Sequence, residues 1–202
     1  MEETPGPGIA LFDFDDTLVA GDSMPPFLDE LAGTIRVRVA MVGAVIGALI
    51  AHALGRPPGA DFRGSVKALV LRALVAGRTP EEAHGAARRL QGRLRWLAPQ
   101  VNALRAHAAA GRRVVVVSGS LDVYLPILLE GLPVDDVLAT DLEARDGVLT
   151  GRLTDINCVR QAKADRIRAF LAAHAPTGPT WGYGNRPHDL PMLALVDHPT
   201  VV

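Results

Sequence analysis

Arg113-Val114-Val115-Val116-Val117-Ser118 constrains the fold of this chain more than any other stretch. Four consecutive valines with no polar alternation read as a strand buried on both faces, and such strands belong to parallel sheets covered by helices. Ile9-Ala10-Leu11-Phe12, Asp136–Thr140 and Thr180–Gly184 are shorter runs of the same kind. Helical stretches follow the later three, over residues 121–129, 159–174 and 190–196. Strand and helix in alternation predict the α/β class: a Rossmann-like parallel sheet with helices on both faces. Leu142–Arg145 and Val148–Leu153 flank Asp146-Gly147 and read as an antiparallel hairpin.

Nearly a hundred residues separate Thr17 from the valine strand, too many for a structureless connection. They read as helices. Thr79-Pro80-Glu81-Glu82 joins a capping box to a first-turn proline, and Ala83, Ala86, Ala87, Leu90 and Leu94 recur behind it at helical spacing. Residues 66–76 form another helical run, with Pro57-Pro58-Gly59 breaking the chain before it. The domains expected are a core over residues 8–20 and 105–202, with an inserted all-helical domain over residues 21–104.

Residues 39–51 carry no charge and contain Gly43 and Gly47. At that length the stretch is too short to span a bilayer and reads as a buried or cleft-lining helix, with contact to a membrane surface or a greasy substrate as the alternatives, so no transmembrane segment is expected. The opening, Met1 to Gly8, is acidic and turn-rich, without the basic start and apolar stretch of a signal peptide. With 21 basic and 22 acidic side chains the chain has no cationic excess to drive nucleic-acid binding. One cysteine, Cys158, forbids an internal disulfide and suits a packing role in a reducing, cytoplasmic setting.

The chemistry starts where the first strand runs out. Asp13-Phe14-Asp15-Asp16-Thr17 puts two carboxylates two residues apart at a strand's C-terminal end, the edge of an α/β sheet where ligands bind. Ionised side by side they repel, and a hard divalent cation of the Mg²⁺ kind, completed by water and phosphate oxygens, relieves that repulsion. Ser118-Gly119-Ser120 ends the valine strand, where a hydroxyl and exposed amides at a helix start suit phosphate oxygens or serve as a plain cap. Of 21 basic residues only Lys67 and Lys163 are lysines, and the other 19 are arginines. A composition that writes arginine elsewhere kept a compact ammonium at these two places.

An Asp-x-Asp-x-Thr after the first strand resembles the opening motif of the haloacid dehalogenase (HAD) superfamily, most of whose members are Mg²⁺-dependent phosphatases that form an aspartyl-phosphate. The resemblance implies Asp13 as nucleophile and Asp15 as the acid, then base, of the two half-reactions. Ser118, with Gly119, matches the phosphate-binding second motif. The stretch from Asn157 to Lys163 resembles the third, whose lysine neutralises nucleophile and phosphoryl group. Gly184-Asn185-Arg186-Pro187-His188-Asp189-Leu190-Pro191-Met192-Leu193 looks like the last, which completes the metal site, with Asn185 where aspartate is commonest. The resemblance thus implies metal ligands among Asp13, Asp15, Asn185 and Asp189. Arg186 either reaches the phosphate or pairs with Asp189, and His188 is either a turn residue or a participant. The inserted helices match by position the cap of the phosphoserine-phosphatase-like subclass.

These readings converge on a Mg²⁺-dependent phosphatase acting on a small phosphomonoester. Phosphoryl transfer to an acceptor other than water, or a binding protein that kept the fold and lost turnover, are the alternatives. The apolar insert favours a substrate with an apolar body, or else fills its own domain's core or a homodimer contact.

Overall fold

The computed structural model describes residues 8–59, 61–154 and 157–202. The acidic opening of the chain therefore lies, except for Gly8, outside the described residues. In chain order the elements begin with β1 (Ile9–Phe12), α1 (Met24–Ala32), α2 (Thr34–Ala53), α3 (Phe62–Leu74), α4 (Pro80–Gln91) and α5 (Ala98–Ala109). They continue with β2 (Arg113–Leu121), α6 (Leu125–Leu128), β3 (Asp136–Thr140), β4 (Leu142–Arg145) and β5 (Val148–Leu153). The chain closes with α7 (Arg160–His174), β6 (Thr180–Gly184), α8 (Leu190–Leu193) and β7 (His198–Val201).

The chain divides into two compact units. Unit 1 holds the described residues of Met1–Ser23, Leu94–Thr140 and Ile156–Val202, and unit 2 those of Met24–Arg93 and Asp141–Asp155. The boundaries thus fall at Ser23 and Arg93 rather than at 20 and 104, and α5 belongs with the sheet.

Unit 1 is the α/β layer predicted from the valine strand. Its sheet runs β3-β2-β1-β6-β7, with every pairing parallel. Strand β1 is buried along its whole length, as are Val114 to Ser118 of β2. The chain winds from β1 outward through β2 and β3, then returns to the other side of β1 for β6 and β7. That reversal makes the C-terminal ends of β1, β2 and β6 a topological switch point. A core of Ile9, Leu11, Val115, Val117, Cys158, Ile167, Met192 and Leu193 lies on one side of the sheet, so Cys158 is the packing residue expected.

Two elements differ from the expectation. Strand β2 continues through Gly119 and Ser120 to Leu121, and the helix after it is the single turn α6. Ser118 therefore sits within an extended strand, not at a helix start. Helix α8 likewise stops at Leu193.

Unit 2 contains α1 to α4, and the β4–β5 hairpin belongs to it as well. In the hairpin Asp146 and Gly147 both have positive φ, 50° and 79°, as a two-residue turn of matching twist requires. Helix α4 starts as predicted: Glu82 N–H donates to the Thr79 hydroxyl, and Thr79 N–H donates to the Glu82 carboxylate. Its apolar stripe Ala83, Ala86, Ala87 and Leu90 is buried. The helix ends at Gln91, so Leu94 lies beyond it.

Helix α2 is longer than residues 39–51 and departs from the buried helix expected there. It spans 20 residues, with mean hydropathy 1.8 over its most apolar 18, long and apolar enough by length and composition to cross a membrane. It is also not buried: Val39, Val42, Ile46, Leu49 and Ile50 are each more than half exposed. Apolar content reveals a helix's need for an apolar partner but not where that partner comes from, and the sequence boundaries left out seven further helical residues.

Candidate active site

All the residues that follow lie in unit 1. Asp13 is the first residue past β1, and its N–H donates to the Tyr183 carbonyl on β6 (2.9 Å), which aims it at the switch point. Its carboxylate is buried and doubly held. One oxygen accepts from Lys163 Nζ at 2.7 Å, the other from the Thr17 hydroxyl at 3.0 Å. Thr17 is placed by the turn that follows, where Thr17, Leu18 and Val19 all donate to the Phe14 carbonyl.

Lys163, on the first turns of α7, is 3% exposed. Its ammonium bridges Asp13 and Asp189, with Nζ 2.6 Å from Asp189 Oδ1. The other Asp189 oxygen accepts from the Asn185 N–H at 3.0 Å. Both Asp189 oxygens are thus engaged, with Lys163 rather than Arg186 as ion-pair partner. Gly184 explains how Asp189 comes so close to the end of β6: a Cβ there would fall 2.7 Å from the Asp189 Cβ.

Asp15 is anchored separately. One oxygen accepts from Ser23 N–H (2.8 Å), the other from the Ser120 hydroxyl (2.7 Å). The Ser23 hydroxyl lies 3.1 Å from that of Ser120 and 3.2 Å from the phenol of buried Tyr124. Ser118 Oγ accepts from Ser120 N–H (3.0 Å), which leaves its own proton available for a ligand. A Cβ at Gly119 would fall 2.7 Å from a Val159 methyl carbon, so the strand end packs directly on the start of α7. His188 accepts from Arg160 Nε, and Arg186 is exposed.

Geometry explains the charge states. Burial pushes Asp13 up to about 7, partly offset by the Lys163 ammonium and reinforced by Asp189. Burial also raises Asp15 above the ordinary carboxylate range, against the hydrogen bonds from Ser120 and Ser23. Burial alone would lower Lys163, but the fields of Asp13 and Asp189 outweigh it and hold the ammonium above its usual value. Three acidic side chains are gathered with one ammonium here, and a bound cation would favour their ionised forms.

Among the described residues no group of three His, Cys, Asp or Glu side chains forms a ready-made metal cage. Mg²⁺ does not require one, since it keeps several waters and takes one or two carboxylates with substrate phosphate. The oxygen donors here fit that demand: the Asp13 carboxylate, and the Asp15 main-chain carbonyl with the Asn185 carboxamide against it, Nδ2 donating at 3.1 Å. A cavity of about 620 Å³ lined by Ile9, Arg112, Arg113, Asp135 and His174 lies where β1 and β2 begin, and it shares no residue with this cluster.

Asp13, Asp15, Ser118, Gly119, Lys163, Asn185 and Asp189 thus come together from segments up to 176 positions apart. Sequence reasoning missed Ser23 and Tyr124, and it took Ser120 for a cap. Their hydroxyl partners, Ser23 with Ser120 and Tyr124 and Ser120 with Asp15, are about a hundred residues apart, and no local pattern marks them.

A sheet wound about a switch point, with paired aspartates just past β1 and a lysine-bridged aspartate beyond β6, defines a HAD-type α/β hydrolase core. The chain belongs to the haloacid dehalogenase-like hydrolase family, whose model matches residues 10–194. It is 31% identical over 195 residues to protein CicA of Caulobacter vibrioides, covering 95% of this chain and 84% of that protein. It is 29% identical over 186 residues to the phosphoserine phosphatase of Streptomyces coelicolor, covering 92% of this chain and 41% of that protein. A crystal structure of a Bordetella pertussis protein of unknown function superposes with a TM-score of 0.75 at 23% identity, covering 97% of this chain and 90% of that one.

Proposed function

We propose that the chain is a phosphatase that hydrolyses a small phosphomonoester through an aspartyl-phosphate on Asp13, with Mg²⁺ as cofactor. The observation that carries this reading is the arrangement of the two aspartates: Asp13 locked by Lys163 and Thr17, and Asp15 locked by Ser120 and Ser23. A nucleophile must be held still in its ionised form, and an acid–base must hold and release a proton.

In the first half-reaction an Asp13 oxygen attacks phosphorus as the bond from phosphorus to the ester oxygen breaks. Asp15, raised in pKa by burial, delivers its proton to the departing oxygen, and the alcohol leaves. In the second, Asp15 takes a proton from water as that water attacks phosphorus, freeing phosphate and the Asp13 carboxylate. Ser118 donates its hydroxyl proton to a phosphoryl oxygen, and Lys163 offsets charge on the nucleophile and the transferring group. Asp13, the Asp15 carbonyl and Asn185 would hold Mg²⁺, which supplies further positive charge beside the phosphoryl oxygens. Asp189 acts through Lys163 and Asn185, as the residue that positions both.

The S. coelicolor relative makes phosphoserine the first substrate to try, and the apolar α2 makes an ester with an apolar body the second. Unit 2, the counterpart of the inserted cap, is assigned the choice between them. The experiment is phosphate release from p-nitrophenyl phosphate, phosphoserine, a sugar phosphate, a lysolipid phosphate and a prenyl phosphate, with EDTA and after Mg²⁺ is restored. Turnover of at least one ester that EDTA abolishes and Mg²⁺ restores is the expected result. Undiminished turnover in EDTA would remove the metal from the account.

A further inference from the structure

Helix α2 is built the wrong way round for a water-facing element. Its inner side is the small one: Val37, Ala44 and Ala48 are buried, and at Gly47 a Cβ would come 3.2 Å from a Leu69 methyl on α3. Its bulky side faces out. Ile35 is 80% exposed, Val39 68%, Val42 62%, Ile46 52%, Leu49 57% and Ile50 56%. Positions 35, 39, 42, 46, 49 and 50 form one stripe at helical spacing, directly opposite the buried one. An ordinary amphipathic helix turns such a stripe inward, and an exposed apolar surface of this extent marks an interaction site.

Charge selects the occupant. Between Glu30 and Asp61 the chain carries Arg36, Arg38 and Arg56 and no acidic residue. Arg36 and Arg38 are exposed near the start of the helix, on either side of the stripe, and Arg56 is exposed just past its end. Leu54, 70% exposed, and Phe62, 39% exposed, extend the apolar surface beside Arg56 and Arg63. A second copy docked through the same helix would set arginine against arginine: Arg36 and Arg38 against themselves if parallel, or against Arg56 if antiparallel. An anionic lipid surface instead offers hydrocarbon to the stripe and phosphates to its basic margins. Crossing the bilayer would strip α2 from the α3 contacts that its small residues were shaped to make, so the helix lies in the plane of the interface.

We propose that α2 is a membrane-docking surface, lying in the interface of an anionic bilayer with its Ile35–Val39–Val42–Ile46–Leu49–Ile50 stripe at the acyl boundary and Arg36, Arg38 and Arg56 among the headgroup phosphates. The test is flotation of the full chain with phosphatidylcholine vesicles, with and without phosphatidylglycerol. The chain should float with the anionic vesicles and far less with the neutral ones. An Ile46→Ser/Leu49→Ser/Ile50→Ser variant should lose binding about tenfold or more. Arg36→Gln and Arg38→Gln should each lower binding to anionic vesicles about fivefold. These side chains are exposed, so the variants should keep the melting temperature and circular dichroism of the parent. A chain that stays in the lipid-free fraction overturns the proposal, as does a serine variant that floats as well as the parent. Concentration-dependent dimerisation lost in the serine variant, with no vesicle binding, would overturn it in favour of a second copy.

Discussion

Lys163 is one ammonium shared by two buried carboxylates, and its loss would be felt first in stability. Lys163→Met should leave Asp13 and Asp189 facing each other unpaired, at a cost of about 3–5 kcal/mol. Chemical denaturation checks this, and a loss under about 1 kcal/mol would mean the bridge is not made in solution. Asp13 carries a pH signature of opposite sign to an ordinary salt-bridged aspartate. Its carboxyl is raised from 3.8 to about 7, so between about pH 4 and pH 7 the folded chain holds a proton that the unfolded chain has released, and stability falls as pH rises through that window. Asp13→Asn lacks this contribution. In EDTA its melting temperature should gain on that of the parent steadily from pH 4 to pH 7, and a difference that stays constant with pH would contradict the assignment. That Asp13, Asp15 and Lys163 would stand out was legible residue by residue, because strand-end aspartates and a rare lysine are conspicuous in the sequence. Ser23, Ser120 and Tyr124 were not, because hydroxyls that meet across about a hundred residues leave no trace in their neighbours along the chain.

At the scale of the element, the candidate site residues lie at the ends of β1, β2 and β6, and these strands were readable because strands buried on both faces are written in near-continuous apolar residues. Where β2 ends was not readable. Ser118, Gly119 and Ser120 are as compatible with a helix start as with a strand, and pairing of Leu121 with Thr140 on β3 decides between them. The end of β6 depends on a close approach. Gly184→Ala would force its new methyl against Asp189 Cβ and the Met192 methyl, at 2.7 and 2.8 Å. Overpacking of that kind costs about 1–3 kcal/mol. Because Asp189 positions Lys163 and Asn185, phosphate release should fall more than the melting temperature alone explains. Full activity in a folded Gly184→Ala protein would show that Asp189 can shift without harm. Helix α2 failed differently: hydropathy reports that a helix wants an apolar partner and is silent on whether the chain itself provides one.

For the whole molecule, the two units divide the work. Unit 1 gathers every residue assigned to phosphoryl chemistry at one switch point, and unit 2 carries the apolar helix. The parallel sheet and the HAD class followed from the alternation of strands and helices together with four motifs in order, whereas the order of the strands did not. The membership of unit 2 did not, because the β4–β5 hairpin enters from a segment far along the chain. The central claim is that Asp13 carries the phosphoryl group, and one measurement reaches it directly. With Mg²⁺ present, turnover of p-nitrophenyl phosphate is quenched in acid and the peptides are mapped by mass. The account predicts a phosphoryl group on Asp13, absent in EDTA, and a fall in turnover of about 10³-fold or more in Asp13→Asn. Turnover that proceeds with no phosphoryl-enzyme and survives Asp13→Asn would contradict it.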